Sequence, residues 1–248
     1  MLLEYLEQIT EAQTIEELWS VHVDEMAKFG LNRLIYGFTR YRTAKSFGDQ
    51  QDLLVLTNHD PVYAEKFMND GLYFNAPMVK WAAENVGACS WSWMATHSDA
   101  LTPTEMEVVN YNKKMGITVG YSISFKDVSV RAKGAIGLCS HENMSQAELD
   151  KMWEEHGRTI VQMNNVAHLK IINLPYTGSR KTLTARQREV LEWVGDGKTT
   201  QDITTIMGLT AATVEKHLRL AREALDVETT AQAVLKASFQ NQIFVLEA

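Results

Sequence analysis

At 248 residues the chain is long for one average domain of about 100–200 residues, and a content of 45% hydrophobic and 22% charged residues excludes a disordered or fibrous chain. No apolar run approaches the ~18 residues of a membrane-spanning helix, and two cysteines, Cys89 and Cys139, give neither a disulfide framework nor metal-ligand spacing. The net charge of −7 excludes a uniformly basic nucleic-acid coat, yet residues 180–248 hold nine Lys/Arg and nine Asp/Glu, so the excess acid lies before them.

In chain order, Met1–Glu7 carries acids among its apolar residues and reads as an amphipathic helix rather than a signal peptide. Residues 2–29 read as two helices, with Thr14 and Glu17 forming a capping box for the second. Arg33–Tyr41 and Leu53–Thr57 are rich in β-formers and predict strands. Residues 61–70 and 76–85 predict helices, and Ala88–Trp91 a short strand. Thr102-Pro-Thr-Glu105 is a helix start, leading to a helix through Met115. Thr118–Lys126 and Gly134–Ser140 predict strands, and Ser145 to Ile172 a long amphipathic helix opened by Ser-x-x-Glu. This order predicts a sheet between helical layers over residues 1–172, an α/β/α sandwich within an overall α+β chain.

Residues 173–182 concentrate Pro, Gly, Ser and charge and predict a linker. Residues 183–248 then predict four helices, Thr184–Gly195, Thr199–Gly208, Thr210–Leu225 and Thr230–Phe239, each beginning with a threonine as a usable cap. The bunched basic residues Arg180, Lys181, Arg186 and Arg188 precede any acid there.

Lys198–Met207 predicts a short helix with Ile203, Ile206 and Met207 on its apolar side, and Gly208 permits a sharp turn. On the next helix Val214, Leu218 and Ala221 face inward at helical spacing, which leaves Thr213, Glu215, Lys216, Arg219 and Arg222 on or near the outer face. A short helix, a glycine turn and a longer helix with polar outer positions is helix-turn-helix geometry, with the second helix entering the major groove of double-stranded DNA.

The run Leu183-Thr-Ala-Arg-Gln-Arg-Glu-Val-Leu191, with Gly197-Lys198-Thr199, Leu209-Thr210, Thr213-Val214 and Lys216-His217-Leu218, resembles the LuxR-type helix-turn-helix. It departs at Gln187, where the family usually has Glu, and at Thr204, usually Ala. Chemistry then gives Lys198, Thr199 and Lys216 to phosphates and Arg219 to guanine N7 and O6. Glu215 can accept from a cytosine amine or be a solvated helix charge.

The resemblance implies that residues 1–172 form a signal-binding domain of the kind that recognises acyl-homoserine lactones. Where that family has Trp, Tyr, Asp-Pro and Trp, this chain has Tyr63, Phe67, Ala76-Pro77 and Trp91. Its lactone-pocket Tyr corresponds to His59, its late-strand Ser/Thr to Gly137, and its glycine after the long helix to Gly120. Tyr63 can still donate through its hydroxyl, whereas Ala76 cannot accept an amide N–H, a loss of about 1–3 kcal/mol, and Asn75 next to it is a candidate substitute. Tyr36 joins the aromatic supply for a pocket.

These readings imply a cytoplasmic bacterial transcription regulator of quorum-sensing type. It would bind an inverted-repeat operator as a homodimer, with a small acyl-homoserine-lactone-like signal, no cofactor, and RNA polymerase as a further partner. The altered anchors leave open a lactone-independent regulator, or a receptor for another ligand, that keeps the sensing fold mainly for dimerisation. The seven histidines have no ligand-spaced partners and no nucleophile elbow or phosphate loop is present, so no enzyme is expected; two opening helices do not suit a phosphorylated receiver domain.

Overall fold

A computed structural model of the chain describes residues 2–43, 47–127, 129–141, 143–176 and 182–244. The chain divides into two compact units, Met1–Ile172 and Asn173–Ala248.

The first unit opens with α1 (Leu2–Glu11) and α2 (Ile15–Ala27). Thr14 starts α2: its side chain accepts from Glu17 N, and the Glu17 carboxylate accepts from Thr14 N. Five strands follow, β1 (Leu31–Thr39), β2 (Leu54–Thr57), β3 (Gly87–Ser90), β4 (Gly120–Ser124) and β5 (Lys133–Ser140). They form one antiparallel sheet in the order β2-β1-β5-β4-β3. Between the strands lie α3 (Pro61–Met68), α4 (Pro77–Glu84), α5 (Ser92–Thr96) and α6 (Pro103–Lys114), and α7 (Gln146–Ile171) closes the unit.

The period of two along each strand divides the sheet into two unlike faces. Leu34, Tyr36 and Phe38 of β1 point the same way as their partners Leu138 and Ile136 on β5, toward α7. There the Tyr36 hydroxyl meets His168 Nδ1 at 2.8 Å, Phe125 stacks on the His168 ring, and Tyr121 stacks on Trp153. A buried polar knot ties this layer together: Tyr5 Oη lies 2.7 Å from His22 Nδ1, and His22 Nε2 donates to Asn164 Oδ1 at 3.1 Å. The opposite face carries Ile35 and Cys139, which pack with Tyr63 and Phe67 of α3 and Val108 of α6.

Two local differences from the sequence expectations bear on the site. Trp91, expected to end a strand, instead follows β3 and opens α5, which the sequence did not signal. The strand expected over Thr118–Lys126 is limited to Gly120–Ser124, because Gly116 turns with a φ of 67° and Ile117 N still donates to Asn112 O at the end of α6.

The second unit is helical, with α8 (Ala185–Gly195), α9 (Thr200–Met207), α10 (Ala211–Leu225) and α11 (Thr230–Phe239). The caps are Thr184, Thr199, Thr210 and Thr229; the last stands one residue before the threonine expected to fill that role, because its box partner is Gln232. Gln187 closes the Thr184 capping box, accepting from Thr184 N at 2.9 Å, so the amide serves where the family usually has Glu. Val190, Leu191, Ile203, Val214, Leu218, Ala221 and Ala233 share one core. Within the expected linker, Tyr176 N donates to Gln240 O, and Leu174 O accepts from Asn241 Nδ2. Arg180 and Lys181 of the basic bunch lie outside the described residues.

Candidate ligand cavity and DNA-binding surface

Between the α3/α4/α6 side and the sheet lies a cavity of about 270 Å³. Its floor is short of side chains. Gly37 and Ala135 are register partners, Gly137 faces Ile35, and a Cβ added at Gly37 would meet nothing within 4 Å. Glycine within a strand marks a place where another group approaches the backbone, and here that place is open space.

Tyr63, Phe67, His59, Ala76 and Trp91 all border this cavity. Tyr63 is buried between the His59 ring, 4.9 Å away, and the Phe67 ring, 5.3 Å away, and its hydroxyl donates to Asn112 Oδ1 at 3.1 Å. Burial raises the Tyr63 hydroxyl well above the usual tyrosine range, so it is a donor and not an anion. Burial, assisted by the Arg33 charge, lowers His59 to about 4, so its imidazole is neutral. Trp91 Nε1 donates to Ser122 Oγ at 3.0 Å. Gly120 lets that indole sit: a Cβ there would lie 2.8 Å from Trp91 Cζ3 and 2.4 Å from Leu138 O.

Two expected residues stand elsewhere. Asn75 ends a 3-10 turn, is exposed, and does not border the cavity, so it does not stand in for the acid absent at Ala76; the chain turns Ala76 inward instead. Tyr36 borders the cavity along its strand, but its ring lies on the α7 face with its hydroxyl at His168. The sequence reading missed Asn112 and Ser122, which engage the two donors, and Lys133, which also borders the cavity. Gly37 inside a β-rich run was the legible signal of an open floor.

On the second unit, Lys198 and Thr199 are exposed where α9 begins, and Thr199 caps that helix. Backbone N–H groups at a helix start suit a phosphate. Thr200 Oγ1 donates to Glu215 Oε1 at 3.1 Å, which ties α9 to α10 and fixes the acid at the surface. Lys216 and Arg219 are exposed on α10, and Arg219 Nη1 donates to Glu223 Oε1 at 2.5 Å, a helix-surface pair. Thr213 lies at the start of α10, its hydroxyl 2.9 Å from that of the capping Thr210. Arg222 turns toward α11, where it donates to Thr230 Oγ1 at 2.9 Å, a bond that braces α10 against α11.

Residues 14–171 match the model of the autoinducer binding domain, and residues 181–237 match that of the luxR family of bacterial regulatory proteins. The chain belongs to the LuxR family. Its two parts are an autoinducer-binding domain and a DNA-binding domain, the make-up of quorum-sensing transcription regulators. Among LuxR-family relatives it is similar to the transcriptional activator protein AnoR of Acinetobacter nosocomialis, 22% identical over 90% of each chain. The transcriptional activator protein LuxR of Aliivibrio fischeri is 23% identical over 76% of this chain and 74% of its own length. Two solved structures share the fold. SdiA of Escherichia coli matches with a TM-score of 0.51 at 15% identity over 98% of each chain. SdiA in complex with octanoyl-rac-glycerol matches with a TM-score of 0.54 at 15% identity over 99% of this chain and 96% of that one. The cavity wall includes no Asp or Glu among the described residues.

Proposed function

We propose that this regulator is switched by an acylated, autoinducer-like signal held in the cavity of the first unit, and that the liganded chain acts as a homodimer on an inverted-repeat operator. The observation that carries the signal site is the cavity itself, which is apolar, floored by Gly37, Ala135 and Gly137, and edged by the donors of Tyr63 and Trp91. Apolar walls with a few fixed polar groups are the ordinary form of a small-molecule site. The signal's chain lies along the floor, and its carbonyl accepts from the Tyr63 or Trp91 donor as that donor releases its protein partner.

A ligand that binds the folded chain and not the unfolded chain stabilises the folded state, by about 2.7 kcal/mol at a hundred times its Kd. Signal binding therefore raises the population of DNA-competent protein. On DNA, Lys198, Thr199 and Lys216 hold phosphates, Arg219 reads a guanine edge, and Glu215, fixed by Thr200, accepts from a cytosine amine. The protein works in the cytoplasm, and the activator role in the relatives' names implies RNA polymerase as a further partner.

In vitro selection with the full chain and a series of acyl-homoserine lactones tests the assembly. The expected product is a two-fold symmetric site whose half-sites lie about one helical turn apart, near 34–36 Å. Recovery of single half-sites, or of sequences without symmetry, contradicts the dimer.

A further inference from the structure

Among the described residues two charged side chains border the cavity, and both are lysines. Lys113 is exposed beside exposed Thr118, so it stands where the cavity reaches the surface. Lys133 is only 9% exposed. Its ammonium donates to Asn85 O at 3.0 Å and to Phe125 O at 3.4 Å, both neutral carbonyls. A lysine has three N–H donors, and among the described residues no carboxylate forms an ion pair with this one. Burial lowers Lys133 below the usual lysine range, Asp127 opposes this, and Arg42 adds to it. Asp127 accepts from Gly134 N and feels Lys133, Arg42 and Arg40 together, so its charge is shared among them.

The position is as informative as the charge. Lys133 lies on the same strand as Gly137, four residues away, a span of about 13 Å at ~3.3 Å per residue. The floor between them is Ala135 with its register partner Gly37, and Trp91 stands beside Gly137. An apolar run thus begins at the indole and ends at a buried cation.

We propose that the signal carries a carboxylate at the end of an apolar chain, and that Lys133 holds this carboxylate while the chain lies over Gly137, Ala135 and Gly37. The inference rests on the cavity being the signal site. A buried ammonium bonded only to carbonyls gains a charge-assisted hydrogen bond from an entering carboxylate. A neutral ester of the same chain offers no such charge, and a cationic ligand is repelled. The carbonyl bond to Asn85, the residue after α4, also gives Lys133 a role as a helix-end brace, and the experiment separates the two roles.

Binding of decanoate (below its micelle concentration), methyl decanoate and N-decanoyl-homoserine lactone to the full chain is measured by calorimetry. Decanoate is expected to bind at least about ten-fold more tightly than its methyl ester, the scale of one hydrogen bond to a charged group. Lys133→Arg keeps this preference and Lys133→Met removes it. Should Lys133→Met fail to fold, the acid-to-ester ratio in the unaltered chain and in Lys133→Arg still decides. Equal binding of acid and ester, or a preference that survives in folded Lys133→Met, overturns the proposal. Tight lactone binding with weak decanoate binding overturns it while leaving the cavity as the signal site. Binding of all three that is unchanged in Gly37→Leu, which fills the floor, removes the cavity reading itself.

Discussion

Trp91 and Ser122 meet over the pocket face of the sheet, the indole Nε1 donating to the serine Oγ at 3.0 Å. Ser122 is buried on β4, and its register partner Gly137 is bare, so the hydroxyl is the indole's acceptor. Replacing Ser122 with Ala leaves that donor without its partner. The variant is expected to lose about 1 kcal/mol of stability in urea unfolding of the ligand-free protein. A midpoint equal to that of the unaltered chain would mean that the contact does not contribute to the fold.

Gly120 supports the same indole by having no side chain. A methyl there would fall 2.4 Å from Leu138 O and 2.8 Å from the Trp91 ring, and neither the strand carbonyl nor the packed indole can move freely. Gly120→Ala is expected to cost about 1–3 kcal/mol, read as a lowered unfolding midpoint, with a blue or red shift of tryptophan emission as the ring is displaced. Gly37→Ala, where the added methyl meets nothing, is expected to be stable and serves as the control.

Three buried histidines set the response to acid. Burial lowers His22, His59 and His168 to about 4, against an ordinary value of 6.5. The 3.9 Å approach of His168 to Asp127 is therefore not an ion pair at neutral pH. Between about 6.5 and 4 the unfolded chain binds protons that the folded chain refuses, so stability falls as pH is lowered through that window and levels below it. Each histidine contributes up to about 1.4 kcal/mol per pH unit. Urea unfolding at several pH values checks this, and His22→Gln is expected to reduce the slope. A stability constant from pH 7 to 4.5 would show that these imidazoles are not neutral in the fold.

The proposed roles on DNA, base reader, phosphate contact and brace, separate by mutation. Arg219→Ala is expected to lose about 1–3 kcal/mol of discrimination at one base position. Lys198→Ala is expected to weaken binding to every sequence alike and to reduce the salt slope by about one. Arg222→Ala removes the bond to Thr230 and is expected to lower the melting temperature while preserving the selected sequence. A changed base preference in Arg222→Ala would move that residue back to the reading face.

Much of this molecule is written locally. Each helix of eleven residues or more is announced by a threonine or serine cap, and Thr14, Thr102, Ser145, Thr184 and Thr199 all form the reciprocal boxes their spacing implies. Tyr63 and Phe67 were legible because they stand where the resembled family has its pocket Trp and Tyr, and α3 carries both, one turn apart, into one buried cluster. What escaped depends on tertiary geometry. Which face of β1 meets the cavity decides between Tyr36 and Gly37, and that follows from pairing with β5, not from composition. Asn75 sits beside a buried residue, but its own direction is set by the turn. The exposed-looking stripe on α10 includes Arg222, yet the neighbouring Thr230 draws it inward. Lys133 begins a strand and would ordinarily be a solvated charge; only its carbonyl partners and the absence of side chains along the floor reveal it as part of the cavity.

The most direct test of the signal site is a pair of thermal melts, of the unaltered full chain and of Gly37→Leu, each with and without a panel of acyl-homoserine lactones and acyl carboxylates. The unaltered chain is expected to gain several degrees from at least one class, and Gly37→Leu to melt cooperatively near the unliganded temperature with every ligand. Equal ligand-induced shifts in the two proteins would contradict the cavity as the place where the signal binds.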